Sequence, residues 1–171
     1  MKDIIEISPY EYKGNILELI GKKWTLVSVK KDDVINGMTA SWGGIGFLWN
    51  KPVAYIFIRP QRYTNTLLSS STTFSLSFFC EEYRDMLRYM GRVSGKEENK
   101  IKQSGLHLIE DTLAPMYEEA EMTILCEKLY HQPLDPKGFE NDALNDQYYP
   151  SCDHHILYIG EIKKIYQQNA K

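Results

Sequence analysis

Apolar positions along this chain recur mostly with period two or in short unbroken runs, and only one stretch carries a clear helical period. Trp24 to Lys30 is rich in β-branched and aromatic residues and predicts a strand. Asp32-Asp33 predicts a tight turn, and Val34 to Trp42 a second strand. Gly43-Gly44-Ile45-Gly46 reads as a flexible loop. Val53 to Ile58 is a continuous apolar run, as expected of a strand buried on both faces, and Pro60 ends it. Thr73 to Phe79 alternates, with Phe74, Leu76 and Phe78 on one side and Ser75 and Ser77 on the other. Glu121 to Leu129 and His155 to Ile165 predict the last two strands.

Helical signals are short. Ser8-Pro9-Tyr10-Glu11 has a capping-box pattern, and Asn15 to Glu18 is a second helix start, closed by Gly21. Thr64 or Asn65 caps a short helix through Leu67 and Leu68. Tyr83, Met86, Leu87 and Met90 form an apolar stripe at i, i+3, i+4, i+7, stopped by Gly91. Ser94-Gly95-Lys96-Glu97 reads as a capping box that opens a helix through Lys100 and Ile101. Pro133 to Pro150 is polar and rich in turn formers, and predicts an irregular loop or a subunit contact. Many short strands with few helices predict a mainly β barrel or sandwich with helical decorations.

The length of 171 residues suits one domain spanning residues 1–171. A formal net charge of −3 gives no bulk attraction to nucleic acid or to an anionic membrane. No apolar run reaches the roughly 20 residues of a membrane helix, and acid appears too early for a signal peptide, so a cytoplasmic location is expected. Cys80, Cys126 and Cys152 are odd in number and widely spaced, which argues against a disulfide framework. Charge placement says more than charge total. All five arginines, Arg59, Arg62, Arg84, Arg88 and Arg92, fall in one stretch. No Lys or Arg lies between Lys102 and Lys128, while Glu110, Asp111, Glu118, Glu119, Glu121 and Glu127 do.

Three clusters carry candidate chemistry. In Asn36-Gly37-Met38-Thr39-Ala40-Ser41-Trp42, small and hydroxylated residues permit close approach of a planar ligand, or simply form a strand edge. Arg59-Pro60-Gln61-Arg62-Tyr63-Thr64 presents guanidinium groups and a helix start, both suited to phosphate, or is a solvated turn. Ser94-Gly95 with Lys100 offers a cap, a close approach and a cation, although Glu97 fits a plain capping box as well. Cys152-Asp153-His154-His155 matches no common metal spacing, and adjacent histidines on a strand point to opposite faces, so no metal is expected.

Taken together, NGMTASWGGIGFLWNKPVAYIFIRPQRYTNTLL, TFSLSFFCEEYRDMLRYMGRVSGKEENK and HHILYIGEI resemble the flavin reductase-like family, especially its flavoredoxin branch. The resemblance runs from about Trp24 to Ile162. It implies an FMN-binding split β-barrel of Greek-key type with a few short peripheral helices, working as a homodimer. It implies that Thr39, Ala40, Ser41 and Trp42 lie along the isoalloxazine ring, and that Ser77, Phe78 and Phe79 occupy the strand beside it. Arg59, Arg62, Tyr63, Thr64, Ser94, Gly95 and Lys100 are implied near the ribityl chain and phosphate. His155 matches a catalytic histidine near the flavin or nicotinamide. The chain departs from the family with His154 where many reductases have Asp, and with Ser77 where Asn is common.

The implied function is transfer of reducing equivalents from NAD(P)H to FMN and on to an acceptor. The alternative is a flavoredoxin-type carrier that holds FMN tightly, passes electrons to a redox partner protein and has no nicotinamide activity of its own. A flavin carries the redox chemistry itself, which accounts for the lack of an obvious acid–base dyad.

Overall fold

The computed structural model describes residues 4–109 and 111–169; residues 1–3, Glu110 of the acidic stretch and residues 170–171 lie outside them. Ten strands and five short α-helices follow one another among the described residues. They are β1 (Ile4–Ile7), α1 (Ile16–Glu18), β2 (Thr25–Lys31), β3 (Val34–Ala40), β4 (Gly43–Leu48) and β5 (Lys51–Ile58). Next come α2 (Tyr63–Ser70), β6 (Thr73–Phe78), α3 (Arg84–Arg92), α4 (Lys100–Ser104), β7 (Leu108–Ile109) and β8 (Met116–Tyr117). The chain closes with β9 (Met122–Pro133), α5 (Asp142–Tyr148) and β10 (Ile156–Gln168).

Eight strands form one antiparallel sheet in the order β3-β2-β6-β9-β10-β5-β4, with β1 paired to the far end of β10. The two ends of that order, β3 and β4, are consecutive in sequence and joined only by Ser41 and Trp42. Three Cα–Cα steps span at most about 11 Å. The sheet must therefore curl until its edges meet, yet no ladder joins β3 to β4 among the described residues. The fold is thus a split β-barrel, and Ser41-Trp42 sits at the seam.

Burial follows from this closure. Val27, Ile56, Phe74, Leu76, Ile124 and Tyr158 fill the barrel interior. The outer faces of β2 and β6 are covered by α3, α4 and the β7–β8 pair, where Leu26, Leu87, Met90 and Tyr117 make a second core. Both faces of β6 are consequently buried, so its serines are internal rather than solvated: Ser75 Oγ donates to Pro115 O, and Ser77 Oγ meets Thr123 Oγ1 at 3.1 Å.

Several expectations are corrected. Gly43 to Gly46 is a strand, not a flexible loop; β4 pairs with β5, and Gly43, at φ +150°, lies so close to Tyr55 O that a Cβ would sit 2.4 Å from it. Half of the Ser8 box is made, with Ser8 N donating to Glu11 Oε2 at 3.2 Å, but it closes a turn rather than a helix. Asn15 does cap α1, and the helix then widens into a π-turn over Leu19–Lys23 and runs past Gly21. Helix α2 is led by Arg62 with no side-chain cap, so neither Thr64 nor Asn65 caps it, and α3 continues one residue beyond Gly91. Ser94 nucleates a turn, and Asn99 caps α4 through a 3.1 Å bond from Lys102 N. The Pro133 to Pro150 stretch holds a 3₁₀ turn (Pro136–Gly138) and α5.

Candidate functional site

A cavity of about 140 Å³ lies where β3, the start of α2 and the α3–α4 link meet. Lys100 lines it and is only 2% exposed. Its Nζ donates to Met90 O at 2.9 Å, and no carboxylate pairs with it among the described residues. Burial, helped by the charge of Arg62, pulls its pKa down to about 8. Arg62 and Arg92 also line the cavity, and neither guanidinium makes an ion pair or hydrogen bond among the described residues. Burial lowers the pKa of Arg62 as well. The first backbone amides of α2, at Tyr63 and Thr64, point from a helix start and have no acceptor among the described residues. Three cations and free N–H donors without a counter-anion are the donor set of an anion site.

The wall of this cavity depends on glycine. A Cβ on Gly95 would stand 2.2 Å from Asn36 Oδ1 and 2.9 Å from Tyr63 Cδ1. Asn36 cannot easily yield, since it is buried and its Nδ2 donates to Thr64 Oγ1 at 2.8 Å. Ser94 Oγ accepts from Lys96 N at 3.2 Å, which holds the turn that presents Gly95.

A second cavity, of about 210 Å³, opens at the barrel seam. Its walls are Met38, Thr39, Ala40, Ser41, Trp42, Phe57, Arg59 and His155. Because β3 is an edge strand, alternate backbone N–H and C=O groups on it lack a ladder partner. Thr39 turns its hydroxyl to Leu87 O at 2.6 Å, so it offers backbone rather than side chain. Trp42 is 40% exposed and stands between His155 (centroids 4.8 Å apart) and Tyr148 (5.4 Å). β3 runs past both cavities, with Asn36 in the first and Ala40 in the second, about 13 Å along an extended strand. The spacing suits a ligand with an anionic tail and a flat head.

His155 rather than His154 faces the seam. His155 is 8% exposed, and its Nδ1 lies 2.9 Å from Tyr149 Oη. Burial, reinforced by the Arg59 charge and opposed by Asp153, pulls its pKa down to about 4. His154 Nε2 is bound to Asn145 Oδ1 at 2.7 Å and its ring stacks on Tyr149, so the two histidines serve different contacts.

The sequence-derived residues thus divide. Thr39, Ala40, Ser41, Trp42 and His155 come together at the seam, and Arg62, Tyr63, Thr64, Ser94, Gly95 and Lys100 at the anion cavity. Arg59 stands apart from the other residues of the implied phosphate cluster. It lies at the seam, ion-paired to Asp153 and donating to Tyr148 O at 2.8 Å, while Gln61 Nε2 donates to Asp153 Oδ2 at 2.7 Å. Ser77, Phe78 and Phe79 line neither cavity and are at most 2% exposed. Sequence reasoning assigned no site role to Arg92, Tyr149 or Asp153, and set Asn36 with the planar-ligand cluster rather than at the anion cavity. Arg92 had a signal in the arginine cluster, whereas Tyr149 and Asp153 gain their roles only from tertiary contacts.

The sequence model of the flavin reductase like domain matches residues 18–171. The chain belongs to the flavin reductase-like family. Among solved structures, an FMN-binding domain of flavin reductases-like enzyme from Shewanella baltica superposes on this flavin reductase-like chain with a TM-score of 0.71 at 16% identity. That match covers 98% of this chain and 78% of the other. A flavoredoxin from Methanosarcina acetivorans gives 0.66 at 21% identity, over 86% and 69%. An NADH:FAD oxidoreductase of Streptomyces globisporus, in complex with NAD and FAD fragments, gives 0.64 at 18% identity, over 85% and 74%. The comparison with curated proteins gave no match. At these identities the structural likeness speaks for the fold. Among the described residues no helix is long and apolar enough to cross a membrane.

Proposed function

We propose that this single domain binds FMN, takes reducing equivalents from NAD(P)H and passes them to an acceptor. The observation that carries this reading is Lys100. A buried ammonium with one carbonyl for company is costly unless an anion completes it. A phosphate monoester, with its charge of about −1.5 to −2 and several acceptor oxygens, answers to Lys100, Arg62 and the free amides of α2. The Gly95 wall fits the same group, since any Cβ there would collide with Asn36 beside the cations. At the seam, Ala40, Ser41 and Trp42 provide a shallow support for a planar ring, with His155 at its border. Bound there, the flavin supplies the two-electron chemistry. Arg59 and Asp153, already paired, position the seam rather than bind the phosphate.

The solved neighbours named as FMN-binding or as flavoredoxin, and the one holding NAD and FAD fragments, support the ligand classes. The exposed faces of Trp42 and Tyr148 favour a homodimer that covers the open seam. A cytoplasmic setting and a protein acceptor complete the reading.

The test is an absorbance spectrum of the purified chain mixed with FMN, followed by stopped-flow addition of NADH or NADPH. Perturbed flavin bands that bleach on a catalytic timescale support the reductase. Bound flavin that does not bleach leaves the flavoredoxin-type carrier, and failure to bind FMN removes both. Sedimentation as a clean monomer with FMN bound counts against the dimer.

A further inference from the structure

We propose that Tyr149 is a positioning residue that fixes His155 as a neutral side chain with its proton on Nε2, presented to the seam cavity as a hydrogen-bond donor. The inference deepens the flavin reading, on which the identity of the acceptor rests. Tyr149 is 5% exposed, and the one acceptor its hydroxyl meets among the described residues is His155 Nδ1 at 2.9 Å, the His155 backbone N–H acting only as a donor to it. If Nδ1 held the proton, the buried hydroxyl hydrogen would have no acceptor, a costly arrangement. The hydroxyl therefore donates and Nδ1 accepts, which leaves the ring proton on Nε2.

That nitrogen is the open one. Nε2 of His155 makes no hydrogen bond among the described residues, yet it is not among the fully enclosed polar atoms that lack a partner. His155 lines the seam beside Trp42, so its free donor faces the space a ligand would fill. Tyr149 is itself held: Phe139 packs edge-on at 5.8 Å, His154 stacks at 4.5 Å, and the Arg59 guanidinium lies 5.4 Å from the ring centroid.

The charged groups facing His155 are Arg59, from the end of β5, and Asp153, from its own connector. The first opposes an imidazolium and the second favours it, and with burial the balance keeps the ring neutral near neutral pH. Burial also raises the pKa of Tyr149, so it remains a hydroxyl. The site thereby offers a donor without a charge. Its chemical complement is a carbonyl oxygen or unprotonated ring nitrogen of a planar heterocycle or carboxamide.

The test is nitrogen NMR on the full chain with labelled histidine, with the His155 signals assigned by their loss in His155→Gln. At neutral pH the expected pattern is a protonated Nε2 and an unprotonated, hydrogen-bonded Nδ1. In Tyr149→Phe the Nδ1 resonance should move downfield while the amide spectrum keeps its folded dispersion. A proton on Nδ1, protonation of both nitrogens, or an Nδ1 resonance unmoved in Tyr149→Phe overturns the proposal. The wild-type pattern decides the case even if Tyr149→Phe does not fold. Added FMN should shift Nε2–H. If it does not, while the tautomer pattern holds, the lock stands and the flavin reading alone is weakened.

Discussion

The guanidinium of Arg59 is ion-paired to the carboxylate of Asp153 across 94 residues of sequence. The pair ties the β5–α2 turn, which leads through Arg62 into Tyr63 and Thr64 of α2, to the connector that carries Tyr149 and His155. Both cavities therefore depend on one latch, although it lines only the seam.

The latch predicts an acid-sensitive stability. Hydrogen bonds from Arg59 and then Gln61 hold the Asp153 carboxyl below its usual 3.8. A depressed folded pKa means stability that is present above the unfolded value and lost as pH falls through the folded one. Asp153→Asn should therefore be less stable than the parent at neutral pH and show a flatter decline in strong acid. Urea titrations at neutral and at acid pH check this, and faster amide exchange over 148–155 should accompany the loss.

Lys100 predicts the pH dependence of binding. Its pKa of about 8 without ligand means that the ammonium is lost as pH rises through that value, while a phosphate monoester stays dianionic. FMN affinity should fall above pH about 8. Lys100→Met keeps the buried stem and removes the charge. It should weaken FMN about 10- to 150-fold at neutral pH, the equivalent of one charge-assisted bond of about 1.5–3 kcal/mol, and flatten the alkaline decline. Fluorescence titration with FMN measures both. Arg59→Ala should cost affinity less than Lys100→Met, because Arg59 is already neutralised by Asp153.

The barrel was legible because strands such as Val53–Ile58 and Thr73–Phe78 carry their own periodicity, which closure reinforces. β4 was not, since its Gly43 and Gly44 lie in close approach to Tyr55 of β5, and packing overrides the weak strand preference of glycine. Ser94 and Asn99 both look like caps. Which of them leads a helix depends on the buried anchor Lys100, and local pattern is blind to that. At the site, Lys100 and Arg62 were readable as cations in a basic stretch, but the division of Arg59 from them was not. It depends on Asp153, brought near only by the β5–β10 ladder.

Gly95 tests whether the anion cavity is shaped by backbone. A methyl there must displace Asn36 Oδ1 from 2.2 Å, and Asn36 is buried and bonded to Thr64. Gly95→Ala should cost about 1–3 kcal/mol of stability, as overpacking does, and weaken FMN more than it weakens fold. Gly95→Ala in an Asn36→Ala background should recover part of the stability. Thermal melts of the two variants, with and without FMN, separate these effects.

His155 gives a prediction with opposite readouts in stability and rate. Its pKa is pulled from 6.5 to about 4 in the folded chain, so on acidification the unfolded chain binds a proton first. Stability should fall as pH drops through that interval, and the fall should be absent in His155→Leu. The rate of NADH-driven flavin reduction should show no inflection near 6.5, because the ring is neutral throughout and acts as a donor rather than a proton carrier. His155→Leu should slow reduction about 2- to 10-fold, the worth of one neutral hydrogen bond of about 0.5–1.5 kcal/mol. An inflection near 6.5 that disappears in His155→Leu shows instead that the imidazolium takes part, and that the burial around it is relieved when the flavin binds.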